Sequence, residues 1–351
     1  MNGVIHIISA DAPAEMLANA STAAGDQDTI VSIGPTPRRW QFARETIHVH
    51  TPLGNAPLAG LQLRKLIGQA DLIHAWSQTA ASAAQWSATK KPIIFSLPHL
   101  RGPHQTDIAI SGCFDGLWKL TVPTDAQRRM LIALGLSPKN VFVLPPTASP
   151  HSDPQTARRE TRTKLGLDDS HFLLAAPGDM ARAKRHKQAC WAQAIALIIS
   201  DKTRLVFPGR GPKKRAIESF ASSTGHEQEI FFTAGDIAPQ DVLAASDAAI
   251  FLQNHDSGVG ALADAMACGL PILATHRPEI EELAPSGQVA LTSPPGDMRQ
   301  ATHNLLTLAG DKNLQQKLAA QSALLAKKQF APAITQAAQT SIYSSLLSGV
   351  S

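Results

Sequence analysis

A chain of 351 residues with 44% hydrophobic and 17% charged residues is too long for one ordinary domain and has ample apolar surface for two cores. Its formal net charge of +4 is a mild excess that solvated helix faces would account for, and it also suits anionic ligands or an acidic membrane surface. Three cysteines, Cys113, Cys190 and Cys268, stand far apart, which excludes a disulfide framework and a Cys-x-x-Cys metal pair and favours a reducing compartment.

In chain order, Met1-Asn2-Gly3-Val4-Ile5 has neither a basic nor a long apolar signal region and reads as the approach to a first strand. No apolar run reaches the ~18 residues of a membrane span. A cytoplasmic protein is expected, with room for peripheral contact at a membrane surface. Short β-branched runs at 4–7, 29–33, 72–74, 93–96, 116–122 and 141–144 alternate with helical stretches such as 58–69 and 79–88. This alternation is the signature of parallel βαβ units. Thr124 followed by Asp125-Ala126-Gln127 opens a capped helix, and Gly135 stops it. Prolines at 145, 146, 150 and 154 then interrupt the pattern, so residues 145–155 are expected to join two domains. Strand runs resume at 172–176, 204–207, 230–232, 248–252 and 272–274, and residues 312–347 read as two helices broken at Pro332. The expected organisation is α/β: two doubly wound, Rossmann-like parallel-sheet domains, 1–150 and 151–329, with a final helical segment, 330–351. Ligands of such sheets bind beyond the carboxyl ends of strands, which directs attention to the loops there.

The richest segment follows the run at 248–252. A polar loop with Asp256, Ser257 and Gly258 leads through Val259 into a short helix, a glycine stop and another strand. The start of that helix, near Gly258, offers free N–H groups and a dipole to an anion. Asp264 lies inside the helix among Leu262, Ala263, Ala265 and Met266. A solvated carboxylate is the plain alternative, but apolar neighbours on nearly all sides leave little exposed face. A buried unpaired charge is expensive, so Asp264 is expected to meet a ligand.

The run Asp264-Ala265-Met266-Ala267-Cys268-Gly269-Leu270-Pro271 resembles the core signature of retaining glycosyltransferase family 4, in which two glutamates flank seven residues. Asp256 and Asp264 stand at those two positions, both one C–C bond shorter, about 1.5 Å in reach. The resemblance implies the GT-B fold, with two Rossmann-like domains facing a cleft. It also implies that Asp264 binds the donor ribose, and that Asp256, Ser257, Gly258 and Val259 hold the donor sugar and diphosphate. The stretch from Leu173 to Asp179, continuing to Lys184, resembles the family's strand, Gly-Arg and later lysine. Lys184 matches the lysine that stabilises the departing diphosphate. Asp179 occupies the arginine position. At ~4 Å and an effective dielectric of ~20 a unit charge pair is worth about 4 kcal/mol, so Arg182 or Arg185 is expected to restore the charge.

Pro208-Gly209-Arg210-Gly211-Pro212 resembles the family's Gly-x-Gly-Pro turn, Phe231-Phe232-Thr233-Ala234-Gly235 its base-facing loop, and the segment from Gln329 to Tyr343 its returning helix. After the first strand, where the family often has glycines, stand Ser9-Ala10-Asp11-Ala12-Pro13. His99 is the candidate beside the reacting sugar, with His104 and His74 as rivals. The implied activity is transfer of a sugar, with retention, from a nucleotide-diphosphate donor to a hydroxyl of a glycan, lipid or small-molecule acceptor. Lys184, Asp256 and His99 are its expected catalytic residues. No cofactor or metal and no nucleic-acid partner are expected. The alternative is an inactive GT-B-like nucleotide- or sugar-binding protein or partner subunit.

Overall fold

The computed structural model describes residues 3–9, 20, 24, 28–34, 46–49, 56–87, 89–97, 118–148, 150–181, 184–253 and 259–348. They divide into two compact units, one of Met1–Thr147 with Pro332–Ser351 and one of Ala148–Ala331.

In the first unit seven parallel strands are β1 (Val4–Ser9), β2 (Thr29–Ile33), β3 (Thr46–Val49), β4 (Leu72–Ala75), β5 (Ile93–Ser96), β6 (Trp118–Val122) and β7 (Val141–Val143). Their order across the sheet is β3-β2-β1-β4-β5-β6-β7. β1, β4 and β5 are buried along their whole length, which is why they read as unbroken apolar runs rather than alternating ones. β3 carries no such signal: it is an edge strand with Ile47 and His48 exposed. Helices α1 (Ala56–Ile67), α2 (Gln78–Trp86) and α3 (Asp125–Ala133) supply one apolar layer. Thr124 closes a reciprocal capping box with Gln127 at the start of α3, and Gly135 takes φ +101° just beyond its end.

The second unit opens with α4 (Pro154–Lys164), where Asp153 caps and Pro154 takes the first turn, so this proline begins a helix instead of prolonging a linker. β8 (Phe172–Ala175), α5 (His186–Ile199), β9 (Thr203–Phe207), α6 (Lys214–Ser223), β10 (Ile230–Phe232), α7 (Pro239–Ala245) and β11 (Ala248–Phe251) follow. Next come α8 (Val259–Ala267), β12 (Ile272–Thr275), α9 (Pro278–Leu283), β13 (Ala290–Ser293), α10 (Met298–Gly310) and α11 (Lys312–Gln329). The parallel order is β10-β9-β8-β11-β12-β13. Apolar layers cover both faces of this sheet. Asp247, just before β11, accepts from the Leu173 backbone at 2.7 Å and from Arg158 and Arg162 at 2.7 and 3.2 Å, which ties α4 to the sheet.

The last helix, α12 (Pro332–Ser348), belongs to the first unit, where Ile342 and Leu346 join the apolar layer of Ile8, Leu72 and Trp76. A polar seam runs through that layer. His74 Nδ1 meets the Tyr343 hydroxyl at 2.5 Å, His74 Nε2 meets Ser96 Oγ at 2.7 Å, and Gln339 donates to the Tyr343 hydroxyl. Trp76 Nε1 donates to His6 Nδ1 at 3.1 Å, and the Trp76 ring stacks on His74 with centroids 3.8 Å apart. His74, a rival for the reacting sugar, is therefore a satisfied core residue; burial, then the neighbouring His6, hold its pKa well below the usual value.

Replacing Tyr343 with Phe removes the shared hydroxyl and leaves His74 Nδ1 and Gln339 in an apolar layer. Urea unfolding followed by circular dichroism is expected to show a loss of about 1–3 kcal/mol. An unchanged midpoint would show that the seam contributes nothing to holding α12.

Candidate functional site

In the second sheet the chain winds outward from β8 through β9 to β10, then returns to β11 on the other side of β8 and winds through β12 to β13. β8 and β11 are therefore paired neighbours from which the chain winds to opposite sides of the sheet. This is the topological switch point at which doubly wound sheets hold their ligands. Lys184 follows β8; Val259 and Asp264 follow β11.

The β8 loop is built on close backbone approach. Gly178 takes φ +99°, and the Lys184 side chain lies over it, with Nζ 3.5 Å from where a Cβ on Gly178 would stand. The Met180 N–H donates to the Arg210 carbonyl at 2.8 Å, and the Lys213 N–H donates to the Met180 carbonyl at 3.0 Å. These bonds lock the turn after β8 to the turn after β9. A Cβ on Gly209 would overlap the Gly178 carbonyl oxygen, and one on Gly211 would come within 2.6 Å of the Met180 backbone. Both glycines are thus required by backbone contact, a reason the sequence did not disclose. Arg210 projects from this lock, and its guanidinium fills the space beside Gly235, at φ +105° in the loop after β10.

His186, in the first turn of α5, donates from Nε2 to the Asp179 carbonyl at 3.1 Å. Burial above all, with the charge of Lys184 added, lowers its pKa to about 4. Arg185 precedes it in the left-handed region at φ 51°, and no side chain caps α5. The Asp179 backbone thereby holds a helix start in place, a structural duty unrelated to the charge of its side chain.

Asp264 lies on α8 between fully buried neighbours, yet it is only half-buried itself. Ala261, Asp264, Ala267 and Cys268 form a half-open stripe, so the expectation of a helix with little exposed face is corrected. The stripe was hidden because its other members are small and apolar. Asp264 faces Cys268 one turn on, and burial chiefly, with the Asp264 charge, raises the Cys268 pKa. The His151 backbone opposes that rise, and the His151 ring meets Asp241 at 2.8 Å. Arg182, Asp256, Ser257, Gly258, His99, His104 and Asp11 lie outside the described residues. Among the described residues no group of three or more His, Cys, Asp or Glu could hold a metal ion, and no helix is long and apolar enough to cross a membrane.

Residues 171–311 match the family model described as Glycosyl transferases group 1. The second unit carries a glycosyl transferases group 1 domain. The chain is 24% identical over 160 residues to N-acetyl-alpha-D-glucosaminyl L-malate synthase of Bacillus anthracis, a match spanning 45% of this chain and 42% of that relative. HepE of Anabaena, solved with UDP-glucose, superposes with a TM-score of 0.84 at 16% identity, covering 98% of this chain and 99% of the other. Sucrose-phosphate synthase of Thermosynechococcus elongatus gives a TM-score of 0.79 at 13% identity, covering 99% and 100%. The two parallel-sheet α/β units are the GT-B fold of glycosyltransferases. The resemblance carried by residues 264–271 falls within the matched domain.

Gly209→Ala should lower the stability of the second unit by about 3 kcal/mol, the upper range for overpacking, read as a shift in urea midpoint; a midpoint within error of the parent would show that the two turns are not locked. A second outcome concerns acid. The pKa of His186 near 4 lies below the ~6.5 of an unfolded histidine, so the unfolded chain takes up the proton first. Stability contributed by neutral His186 is complete above ~6.5 and is lost as pH falls towards 4, by on the order of 3 kcal/mol. His186→Gln should flatten that fall in unfolding curves between pH 7 and 4, and an identical slope in the variant would exclude His186 as its source.

Proposed function

We propose that this protein is a retaining glycosyltransferase that moves a sugar from a nucleotide-diphosphate donor to a hydroxyl acceptor. The observation that carries the reading is topological: β8, followed by Lys184, and β11, followed by α8 with Asp264, are neighbours at the switch point of a sheet that lies within the stretch matching Glycosyl transferases group 1. In this reading the bond between the anomeric carbon and the donor phosphate oxygen breaks, and its electron pair leaves with the diphosphate. The acceptor oxygen bonds to the anomeric carbon on the same face, and its proton passes to the departing phosphate oxygen. Lys184 stabilises the charge that develops on the diphosphate, aided by the N–H groups at the start of α8. Asp264 accepts hydrogen bonds from the ribose hydroxyls. Asp256, Ser257, Gly258 and Val259 hold the sugar and phosphates, Arg182 adds positive charge, and His99 lies beside the reacting sugar. The donor needs no resident metal or cofactor in this scheme, and the acceptor is a glycan, lipid or small molecule.

A second reading, a GT-B protein that binds a nucleotide or sugar without turnover, or serves as a partner subunit, is favoured by one observation. Asp179 stands where the family resemblance places an arginine, and its backbone serves to hold His186.

Thermal melting with UDP, GDP and ADP separates the readings. A nucleotide at 100 times its dissociation constant adds about 2.7 kcal/mol, seen as a rise of a few degrees in Tm. No rise with any nucleotide would defeat the first reading and leave of the second only a sugar binder or partner subunit. A rise with no nucleotide release from the matching sugar donor, across an acceptor panel, would select the second. In the active case Lys184→Ala is expected to lower kcat by about 10²–10³-fold while the unfolding midpoint holds; undiminished turnover would move the leaving-group role to another residue.

A further inference from the structure

α5 is built inside out. Its buried residues are small or polar: His186, Ala189, Cys190, Ala192, Gln193 and Ala196. Its largest apolar side chains face solvent, with Trp191, Ile198 and Ile199 at 50%, 80% and 70% exposure. Lys187, Trp191, Ile195 and Ile198 are spaced four, four and three apart and share one helix face. The helix beside α5 extends this face. Phe220 of α6 stacks on Trp191 with centroids 6.1 Å apart, and Lys187 Nζ lies 5.4 Å from the Phe220 ring centre. Packing within the unit uses this surface only in part: Phe220 packs against the core as well as on Trp191, while Ile198 and Ile199 stay largely exposed.

The charge around the patch is one-sided. From position 187 to 215 the sequence holds seven Lys and Arg and a single acid, Asp201. Lys187 and Lys202, at opposite ends of α5, are exposed, as are Lys213 and Arg215 at the start of α6. Glu218, the acid on α6, is engaged by Lys214 at 3.3 Å. Apolar side chains led by a tryptophan, flanked by long cations, match the two halves of a lipid interface: acyl chains below, anionic headgroups above. Lysine stems can lie along the apolar layer while their charges reach the headgroups. A second copy of the chain fits less well, because a two-fold contact through this patch would bring the same cations together.

We propose that the exposed face of α5 and α6, centred on Trp191, Ile198, Ile199 and Phe220, docks the second unit onto an anionic lipid surface. It is a peripheral contact, with no helix crossing the bilayer. The proposal uses no residue assigned to donor binding and stands apart from the transfer reaction.

Flotation of the full chain with extruded vesicles tests it, comparing phosphatidylcholine alone with a mixture containing phosphatidylglycerol at ~0.1 M salt. The mixed vesicles are expected to bind at least tenfold more protein, and 1 M salt, with a screening length of about 3 Å, to abolish most of it. The triple variant Trp191→Ser, Ile198→Ser, Ile199→Ser should lose at least tenfold in partitioning. The pair Lys213→Glu, Arg215→Glu should do the same without touching the apolar residues, which covers the case of a misfolded triple variant. Vesicle binding should also shift tryptophan emission to the blue, and Trp191→Phe should remove that shift. Equal binding to both vesicle types, no binding, or undiminished binding by the charge variant would overturn the proposal. So would a parent dimer in light scattering that the triple variant makes monomeric while neither binds vesicles. UDP melting of the same samples keeps the questions separate: vesicle failure with an intact nucleotide response defeats only the docking surface, and the converse defeats only the donor site.

Discussion

The second unit depends on two turns occupying almost the same space. The backbone after β8 and the backbone after β9 approach so closely that neither Gly209 nor Gly211 can carry a side chain, and two main-chain hydrogen bonds through Met180 fix the contact. A contact made by backbone has few rotamers to lose and little freedom to drift, so the chain built on it has a fixed base. From that lock follow the position of Lys184 over Gly178, the left-handed step at Arg185 and the start of α5 at His186. The aspartate carbonyl that accepts from His186 belongs to the same turn. Geometry in this loop is therefore set by main chain, and side chains are added to it.

Elsewhere the chain fixes its elements with buried polar groups. Asp247 gathers two arginines and a backbone N–H at the entry to β11, and one of those arginines, Arg162, is almost wholly buried. Arg162 also donates to the carbonyls of Ala245, Asp168 and His171, so its charge is surrounded by acceptors rather than left in hydrocarbon. The first unit uses neutral groups for the same purpose. His74, Tyr343, Ser96 and Thr121 form a chain of hydrogen bonds from the sheet to α12. Apolar packing of Ile342 and Leu346 would allow α12 to slide along the sheet; the His74–Tyr343 bond selects one register.

The parts legible in the sequence were those whose signal is local. Central strands such as β4, β5, β8 and β11 announce themselves because both their faces are covered, and Thr124 with Gln127 spells out its own capping box. Edge strands β3 and β13 escaped because half-covered strands of four residues do not form continuous apolar runs. Prolines misled in one place: Pro154 looks like linker until Asp153 is seen to cap the helix it opens. The site was legible to the extent that residues 264–271 form a motif, and obscure where function depends on contacts between loops. Nothing in Pro208-Gly209-Arg210-Gly211 tells a reader that its glycines face another turn. The open stripe around Asp264 was likewise disguised by alanines, whose small size gives no hint of which side meets solvent.

The exchange of a family arginine for Asp179 is the strongest chemical objection to phosphate binding at this switch point, and its weight can be judged from the charges around it. Two helices begin here, α5 and α8, and neither has an acid in its first turn. Each contributes the equivalent of roughly half a positive charge at its start. Lys184 adds a full one, so together they outweigh the Asp179 carboxylate taken alone, while the site's other two acids, Asp256 and Asp264, are matched in number by Arg182 and Arg185. The position of the charge matters as much as its sum. Lys184 folds over Gly178, immediately before Asp179, which sets the cation and the carboxylate on one turn and lets each moderate the other's field. A turn held by main chain has little to rearrange, so under the proposed reading the Lys184 charge would reach an arriving anion at a smaller ordering cost than a cation on a free loop would pay.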